Sequence, residues 1–475
     1  MQDPIAVSLI IDGVDVRAPS NGCVFEANCS VASQDDKILI QGADPNLCVL
    51  AVESCSRAFQ KWKKTSPERR RKLLQRLAQL IRDRADEIRS LIESEIDSSR
   101  QWSEINLEAA LDLVEEMAAL VTSETMAGSI PVTNNRKAQP MIFKEPLGVV
   151  LGIAPWNSPL VLGLRAVVPP IAAGNTAILK GSELSPRIHY YIAKLFQEAG
   201  FPPGVLNFIL HRPQDASLTF ESMISHPAVR KCNFTGSTPV GKLIASRAAA
   251  VLKPVLLELG GKNFAIVMED ADLDKAAQLI LAGAFLNNGQ ICMSTDIVLV
   301  SRPILPEFRE RLLSLLDNAS SDVTNVITQK SCSRLQSLLE DAESKGAVLT
   351  KGTNKNKPPI PATLIEGLTP EMDFYHSESF GPLLGIMAFD KDEEALRIVN
   401  SCPFGLSAAI FTRNHFHGIQ LARELNDGAI HINGSTVHDE ATLPHGGRGD
   451  SGWGRFGAHW GLQEFLQTKT IILNR

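Results

Sequence analysis

Two short segments carry side chains that could do covalent chemistry. Cys292 follows Asn288-Gly289-Gln290-Ile291, and glycine and short amide residues let backbone N–H groups approach a sulfur without steric bulk. A thiol becomes a nucleophile when its pKa is lowered or when a base lies close to it. Glu258 is flanked by leucines and followed by two glycines, a setting that we expect to desolvate the carboxyl and to raise its pKa. We therefore predict that Cys292 is a nucleophile and that Glu258 is a general base.

Asn157 is the third candidate. The segment from Leu147 to Ala154 is almost continuously apolar, which is typical of a strand buried on both faces of a parallel sheet. Because ligands of open α/β sheets bind at the carboxyl ends of the strands, we expect Asn157 to meet a reacting oxygen there. Each candidate also has a non-catalytic interpretation: Cys292 as a buried structural thiol, Glu258 as a surface or paired carboxylate, and Asn157 as a turn residue.

The elements that must position these side chains alternate between strand and helix. Pro159 to Ala172 is a predicted helix, and the next apolar run, Ala177 to Leu179, is a predicted strand. A second series of strands and helices begins at Asn263. Earlier in the chain, Ser66-Pro67 is a typical helix start, and apolar residues at helical spacing continue to Ile92. The pattern predicts an α/β protein with more than one domain.

Seven segments in one fixed order give a more specific indication. One glycine-rich turn or one cysteine is a weak signal, whereas seven segments in the same order are very improbable by chance. They resemble the signature segments of the NAD(P)-dependent aldehyde dehydrogenase superfamily across nearly the whole chain. The segments are Pro155-Trp156-Asn157, Leu179 to Glu183, Phe234 to Thr238, Leu256 to Lys262, Phe285 to Cys292, Glu378 to Pro382, and Gly446 to Arg455.

The resemblance implies an aldehyde dehydrogenase-like α/β fold. Two Rossmann-like open parallel-sheet domains are expected, together with a small β oligomerisation arm. Residues 1–127 and 147–258 would form the NAD-binding domain, and residues 259–445 the catalytic domain. Residues 128–146 and 458–475 would form the arm, in which a hairpin pairs with a C-terminal strand and builds a homodimer or homotetramer.

The resemblance also implies a reaction, the oxidation of an aldehyde to its carboxylic acid. Cys292 would attack the carbonyl to give a thiohemiacetal, with the Asn157 amide and the Cys292 N–H holding the oxyanion. After hydride transfer, Glu258 would activate the water that hydrolyses the thioester. Two alternatives stay open: a non-redox thioester or ester hydrolase on the same fold, and an inactive binding or structural member of the family.

The cofactor residues follow from the same resemblance. Gly236 to Gly241 opens a helix whose free amides could meet a pyrophosphate. Lys180 and Glu183 would hold the adenosine ribose, and a carboxylate there repels a 2′-phosphate, so NAD is expected in preference to NADP. The non-functional interpretation of that pair is a surface ion pair. The predicted cofactor contacts are Ile153, Pro155, Trp156, Lys180, Ser182, Glu183, Gly236, Ser237, Gly241, Glu258, Leu259, Gly260, Glu378 and Phe380.

The substrate side resembles the subgroup that oxidises vanillin, benzaldehyde and salicylaldehyde. Arg165 would either pair with a substrate hydroxyl or carboxylate, or anchor its own helix. The chain departs from the subgroup where Asp296-Ile297 lacks the usual acid–arginine pair, so that an ion pair would be missing, where His445 replaces the usual phenylalanine, and at Arg448-Gly449. The expected substrate contacts are Trp102, Met117, Arg165, Ile291, Met293 and His445.

Composition limits the partners. The 475 residues are 44% hydrophobic and 21% charged with a formal net charge of −6, which gives no reason to expect nucleic acid. The eight cysteines are scattered without a CxxC pair, and the chain has neither a recognisable secretory signal nor an apolar run long enough for a membrane span. We expect a cytoplasmic protein without metal, in which the cysteines other than Cys292 are reduced packing residues.

Overall fold

Strands and helices alternate along most of the chain, as the apolar pattern predicts. The structure is a computed structural model, and it describes residues 6–18, 22–28, 37–135, 137–355 and 357–474. The strands are, in chain order, β1 (Leu9–Ile11), β2 (Val14–Val16), β3 (Val24–Asn28), β4 (Lys37–Gln41), β5 (Ala138–Pro146), β6 (Val149–Ile153), β7 (Thr176–Lys180), β8 (Leu206–Ile209), β9 (Val229–Thr235), β10 (Val255–Glu258), β11 (Asn263–Val267), β12 (Thr295–Ser301), β13 (Val348–Lys351), β14 (Thr363–Glu366), β15 (Leu383–Phe389), β16 (Phe404–Gly405), β17 (Ser407–Phe411), β18 (Ala429–Ile432), β19 (Arg448–Gly449), β20 (Gly452–Trp453) and β21 (Leu466–Asn474).

The helices cover the sheets and connect parallel neighbours. They are α1 (Pro45–Trp62), α2 (Pro67–Asp83), α3 (Ala85–Ile96), α4 (Arg100–Leu120), α5 (Pro159–Ala172), α6 (Pro186–Ala199), α7 (Ala216–Ile224), α8 (Thr238–Ala250), α9 (Leu273–Phe285), α10 (Leu305–Ser320), α11 (Gln329–Ser344), α12 (Asp373–His376), α13 (Asp392–Asn400), α14 (His415–Glu424) and α15 (Ala458–Gln463).

The first sheet has the strand order β2-β1-β8-β7-β6-β9-β10-β20. Its five central strands, from β8 to β10, run parallel, while β1, β2 and β20 are antiparallel to their neighbours. The strand β20 comes from the C-terminal region and aligns Gly452 with Glu258. A late segment of the chain therefore lies directly beside the candidate base.

The second sheet has the order β13-β14-β15-β12-β11-β17-β18 and is parallel except for β13. Alternate residues of β11 enter two different apolar clusters: Phe264 and Ile266 lie in one, Ala265 and Val267 in the other. Both faces of this sheet are therefore buried, as expected for parallel strands covered by helices.

Local sequence explains where helices begin and where one of them breaks. The Ser66 hydroxyl accepts a hydrogen bond from the Arg69 amide, so the predicted start of α2 is confirmed. The apolar spacing that continues to Ile92 is divided between α2 and α3, because Arg84 leaves the helical conformation between them. Apolar periodicity is similar on both sides of the break and does not reveal it.

A separate two-stranded sheet joins β5 to β21. The two strands pair antiparallel over nine residues each, from Ala138 opposite Asn474 to Pro146 opposite Leu466. The side chains of Ile471, Ile472 and Leu473 are exposed in the single chain. The predicted pairing of these segments is confirmed, and their role in assembly stays a prediction.

These observations confirm the predicted α/β class with two parallel sheets and a small β arm. The domain boundaries stay a prediction. The described cysteines are all free thiols, and Cys48, Cys55 and Cys232 are fully buried as packing residues. Cys29 lies outside the described residues.

Candidate active site

A left-handed turn delivers Cys292 to the junction of the two sheets. Helix α9 ends at Phe285, and the backbone then adopts positive φ at Asn287, Asn288 and Gly289 (50°, 58° and 67°). The Asn288 side chain donates to Thr324 Oγ1 at 3.1 Å and so holds the turn. A β-carbon on Gly289 would lie 2.2 Å from the carbonyl oxygen of Gly381, so only glycine allows this close approach.

The turn places the thiol against the predicted base. Cys292 Sγ donates a hydrogen bond to Glu258 Oε1 over 3.0 Å. Glu258 is only 1% exposed at the end of β10. The two residues singled out first from the sequence are therefore direct neighbours, although 34 residues separate them in the chain.

Glu258 belongs to a ring of four charged or titratable side chains. Arg165 Nη2 donates to Glu258 Oε2 at 2.9 Å, and Arg165 Nη1 donates to Asp439 Oδ2 at 2.7 Å. His445 closes the ring, with Nε2 3.6 Å from Glu258 Oε1 and Nδ1 3.6 Å from Asp439 Oδ1. We call these four residues the carboxylate ring.

The carboxylate ring reverses the expected pKa shift of Glu258. Burial raises the pKa of this carboxyl, but the nearby His445 imidazole and the positive charge of Arg165 outweigh burial and lower the pKa to about 2. The prediction of a raised pKa was wrong because the sequence gives no sign that Arg165 contacts Glu258. The carboxyl is ionised at neutral pH.

Cys292 shows the opposite shift. Burial, together with the negative charge of Glu258, raises the pKa of this thiol well above its usual value. The sulfur is therefore protonated in the free protein, and its proton points at an ionised carboxylate. This arrangement suits proton transfer during attack better than a standing thiolate.

Asn157 lies in the same place but is partly engaged. Its side-chain Nδ2 donates to the carbonyl oxygen of Gln290 at 2.9 Å, and its own carbonyl accepts from Trp102 Nε1 at 2.8 Å. An amide nitrogen has two hydrogens, so one donor is left for another partner. The contacts tie Asn157 to the turn that carries Cys292.

A cleft of about 570 Å³ lies beside the first sheet. It is lined by Ile153, Lys180 and Glu183, and by Val240 from α8. The Ser237 side chain makes no capping hydrogen bond to α8, so the first amides of this helix stay available to an anion. The donor set fits a dinucleotide: an uncapped helix start for the pyrophosphate and a lysine with a carboxylate for a ribose.

Further predicted cofactor residues lie near Cys292. Trp156 packs edge-on against Phe380 with ring centroids 5.9 Å apart. The Glu378 carboxylate accepts from the Gly261 amide at 3.2 Å, and a β-carbon on Gly260 would lie 2.2 Å from Glu378 Oε2. Burial, with the negative charge of Asp296, raises the pKa of Glu378 to about 8.

Three predicted cofactor residues do not line the cleft but pack behind the residues that do. The Leu259 side chain would be 2.4 Å from a β-carbon on Gly241, so that glycine lets α8 approach β10. Ser182 is buried and accepts from the Leu184 amide at 3.2 Å, a contact within its own turn. The structure therefore gives these positions a packing role.

On the other side of the thiol, a smaller cavity of about 210 Å³ opens next to Arg165. Val161 and Leu113 provide apolar wall, and Asp439 lies at its rim. Met117 is fully buried in the first core and is not among the lining residues, so its predicted substrate contact finds no support. Trp102 is buried behind Asn157 rather than in this cavity.

Arg165 was given two interpretations, and the geometry refines both. Its guanidinium is 5% exposed, packs 4.9 Å from the Phe456 ring and uses both terminal nitrogens in ion pairs. It therefore lies in the active site, but its terminal nitrogens are already paired with carboxylates.

Ile291, which is buried, and the half-buried Met293 flank Cys292 directly in the chain.

The missing ion pair expected at Asp296 is replaced by another. Lys262 Nζ lies 3.4 Å from Asp296 Oδ1, with both side chains buried, and 3.7 Å from the Phe374 ring centroid. The Ser379 amide also donates to Asp296 Oδ1 at 3.3 Å. The acid–arginine pair is absent, and Lys262, from the glycine-rich segment after Glu258, supplies a cation for Asp296 instead.

Two residues of the site were missed. Asp439 stands in a polar loop beside His438 and Glu440, where nothing in the sequence separates a buried charge from a solvated one. Lys262 is the last residue of the segment that contains Glu258, and no role was predicted for it. An apolar or glycine-rich setting around a charged residue was the available signal for Lys262.

In the part of the chain that the structure describes, the helices are all too short or too polar to cross a bilayer. Among the same residues there is no group of three side chains that could hold a metal ion.

Comparison with known proteins places the chain in a family. The profile of the "Aldehyde dehydrogenase family" matches residues 27–471. A vanillin dehydrogenase of Pseudomonas sp. strain HR199 is 40% identical over 431 residues, which cover 89% of each chain. A salicylaldehyde dehydrogenase of Pseudomonas sp. strain C18 is 35% identical over 434 residues, covering 90% of this chain and 89% of the other.

Solved structures agree with the sequence matches. The crystal structure of a salicylaldehyde dehydrogenase from Pseudomonas putida G7, complexed with salicylaldehyde, superposes with a TM-score of 0.94 at 33% identity and covers 98% of each chain. A match of this extent shows that the protein belongs to the aldehyde dehydrogenase family, whose members oxidise aldehydes with NAD or NADP.

Proposed function

We propose that the protein oxidises an aromatic or polar-substituted aldehyde to its carboxylic acid, with NAD as the preferred cofactor. The observation that carries this proposal is the 3.0 Å contact between Cys292 Sγ and Glu258 Oε1. A nucleophile and a base at this distance, between a dinucleotide-shaped cleft and a second cavity, supply the groups that the reaction needs.

The first half of the reaction uses the thiol. Cys292 Sγ attacks the carbonyl carbon while its proton moves to Glu258 Oε1, so the high pKa of the thiol is compensated by an ionised acceptor. The remaining Asn157 Nδ2 hydrogen and the Cys292 backbone N–H donate to the developing oxyanion. Loss of one such donor costs about 3–4 kcal/mol in transition-state stabilisation in other enzymes. When bound, the nicotinamide accepts the hydride.

The second half needs water at the thioester. Glu258 takes a proton from this water, which attacks the acyl carbon and releases Cys292 as the leaving thiol. Because the pKa of Glu258 is about 2, its carboxylate is ionised at any pH at which the protein works. Glu258 therefore holds the proton from the water only weakly, and another member of the carboxylate ring must help to hold it.

The NAD preference rests on Glu183. Lys180 Nζ lies 3.7 Å from Glu183 Oε2 at the rim of the cleft, and the lysine partly neutralises this carboxylate. The carboxylate accepts hydrogen bonds from ribose hydroxyls and repels a 2′-phosphate. Ile153, Trp156, Phe380 and Glu378 are the further contacts that we propose.

The aromatic substrate class is supported by the relatives and by the cavity beside Arg165. The relatives are named for vanillin and salicylaldehyde, which are hydroxylated aromatic aldehydes. A panel of benzaldehyde, its hydroxylated derivatives and matched aliphatic aldehydes, assayed by NADH formation, tests this class: we expect the highest kcat/KM for a hydroxylated aromatic aldehyde, and equal values for hexanal would contradict it.

The catalytic roles are tested by trapping the acyl-enzyme. Glu258→Gln keeps the size and polarity of the side chain but removes the base of both steps, so turnover should fall about 10²- to 10⁴-fold. At alkaline pH, where solvent takes the thiol proton in place of Glu258, the thioester on Cys292 is expected to accumulate because its hydrolysis still lacks the base. Intact-protein mass spectrometry after a single turnover measures the adduct. Cys292→Ala is the matched control without adduct, and a Glu258→Gln protein that turns over without adduct would contradict the roles.

We further propose a homodimer or homotetramer in the cytoplasm. The exposed apolar side chains of β21 support assembly, because an unpaired edge of this kind is normally covered by another chain. Light scattering of the full chain measures the mass.

A further inference from the structure

Aldehyde oxidation leaves two protons in a buried site in every turnover, one from the thiol and one from the acid produced. Glu258 receives them but holds them poorly, because Arg165 Nη2 is bound to its Oε2 atom. The question of where the protons go rests on the proposed function, and the carboxylate ring offers an answer.

His445 is the one member of the carboxylate ring with two ring nitrogens, of which one can accept a proton while the other donates one. It is 7% exposed, and its Nε2 atom has no hydrogen-bond partner in the structure although it faces Glu258 Oε1 at 3.6 Å. The same oxygen accepts from Cys292 Sγ. A small movement of the imidazole therefore completes a chain from the thiol through Glu258 to His445.

The path for the proton continues from His445 through Asp439 to solvent. His445 Nδ1 lies 3.6 Å from Asp439 Oδ1, and the side chain of Asp439 is 30% exposed. Asp439 lines the 210 Å³ cavity together with Glu108, Asp112 and Glu440. A proton that reaches Asp439 is therefore beside solvent and among further carboxylates.

The other charged groups around Glu258 do not serve this purpose. Arg165 stays protonated at any working pH and acts as a fixed charge that links the two carboxylates. Glu378 acts on the pKa of Cys292 from the cofactor side, and its carboxylate contacts the Gly261 amide. His438 lies outside the ring and pairs with Glu440 at 2.9 Å.

We propose that His445 and Asp439 form a proton relay that carries protons from Glu258 to the cavity beside Arg165. The proton on Glu258 Oε1 moves to His445 Nε2, and the proton on His445 Nδ1 moves to Asp439 Oδ1. Asp439 releases this proton to water. Rotation or reprotonation of the His445 imidazole then restores its starting tautomer. No electrons are transferred in these steps, and each bond to hydrogen that breaks is replaced by one that forms.

The relay is tested first without cofactor, by alkylation of Cys292 with iodoacetamide as a function of pH. If His445 takes up the thiol proton, His445→Phe should move the rising limb of alkylation to higher pH, with a rate at pH 7 at least about tenfold lower, which corresponds to one pKa unit. Asp439→Asn should move it in the same direction by less. His438→Phe is the matched control and should behave as the starting protein.

Turnover gives the second measurement. His445→Phe should lower kcat about 10- to 100-fold with little change in KM for the aldehyde, and added imidazole should restore part of the rate. His445→Gln, which keeps a polar side chain but cannot shuttle a proton, should show the same loss if the aromatic variant folds poorly. Unchanged alkylation and kcat, or a loss that imidazole does not restore and that leaves the pH profile in place, would overturn the relay.

The two proposals fail separately. If the starting protein makes no NADH from any aldehyde, the proposed function is wrong, while the alkylation profile still decides whether His445 accepts the thiol proton. If aldehydes are oxidised and the His445 variants match the starting protein in both assays, only the relay is wrong.

Discussion

The two sides of Cys292 each hold a carboxylic acid, Glu258 and Glu378, and the two acids have opposite protonation states at neutral pH. On the substrate side, Glu258 contacts Arg165 and faces His445, and its pKa is lowered to about 2. On the cofactor side, Glu378 has one backbone amide and the nearby negative charge of Asp296, and its pKa is raised to about 8. Desolvation raises the pKa of both carboxyls, so desolvation alone does not decide the charge state.

The difference lies in the partners that the fold supplies. For Glu258, the His445 imidazole and the Arg165 guanidinium together more than offset desolvation, whereas for Glu378 a neighbouring carboxylate adds to it. The same thiol therefore lies between a base that is always ionised and an acid that is protonated until the pH rises to about 8.

Removal of the Arg165 guanidinium is expected to have the largest effect. It should make the pKa of Glu258 more like that of Glu378. Arg165→Met leaves the buried Glu258 without its cation, and breaking a buried pair in this way typically costs about 3–5 kcal/mol of unfolding free energy. The pKa of Glu258 should rise, so an acidic limb should appear in the pH profile of kcat. Urea unfolding at pH 7 and the pH–rate profile measure the two effects.

The control for Arg165→Met is Arg302→Met, which breaks an exposed ion pair with Asp390 and should change stability far less. Equal stability of the two variants would mean that the carboxylate ring contributes nothing to the fold.

The cofactor-side acid should show its state in the pH dependence of stability. Because the folded-state pKa of Glu378 is raised from 4.5 to about 8, the native state binds a proton that the unfolded state has lost, and stability falls as pH rises through this window. Glu378→Gln cannot lose that proton, so its melting temperature should fall less between pH 5 and about 8 than that of the starting protein.

Glu95 and Asp427 also have pKa values raised to about 7 and titrate in both proteins, so the difference between the two melting curves isolates Glu378. Parallel curves would show that the carboxyl is ionised throughout.

A third carboxylate, Glu183, extends the comparison to the choice of cofactor. Its substitution is expected to have the smallest effect. Desolvation raises the pKa of Glu183, but the charge of Lys180, a backbone hydrogen bond and the nearby His211 together outweigh it and lower the pKa. Glu183→Gln removes the repulsion of a 2′-phosphate and should raise kcat/KM with NADP relative to NAD about tenfold, which corresponds to about 1.4 kcal/mol. Steady-state rates with each cofactor measure this ratio, and an unchanged ratio would remove Glu183 from cofactor choice.

Local signals in the sequence predicted the elements and the main catalytic candidates. The N-cap at Ser66 and the helix Pro159–Ala172 were found because each depends on residues that are neighbours in the chain. Cys292 and Glu258 were found because their flanking residues are unusual, and family resemblance fixed their order.

Long-range contacts between charged groups could not be predicted. The carboxylate ring joins residues as far apart as Arg165 and Asp439, and neither position is distinguished by its neighbours. The same limit explains the wrong sign for the pKa of Glu258 and the unexpected Lys262–Asp296 pair. Apolar spacing also failed at Arg84, where the pattern continues although the helix does not.

The contact between Gly289 and the carbonyl of Gly381 has a mechanical consequence. The nucleophile loop and the segment that carries Glu378 are interlocked, backbone against backbone, so neither can shift by the width of a methyl group without displacing the other. Any displacement of the segment that carries Glu378 is therefore transmitted through this backbone contact to the loop that carries the sulfur.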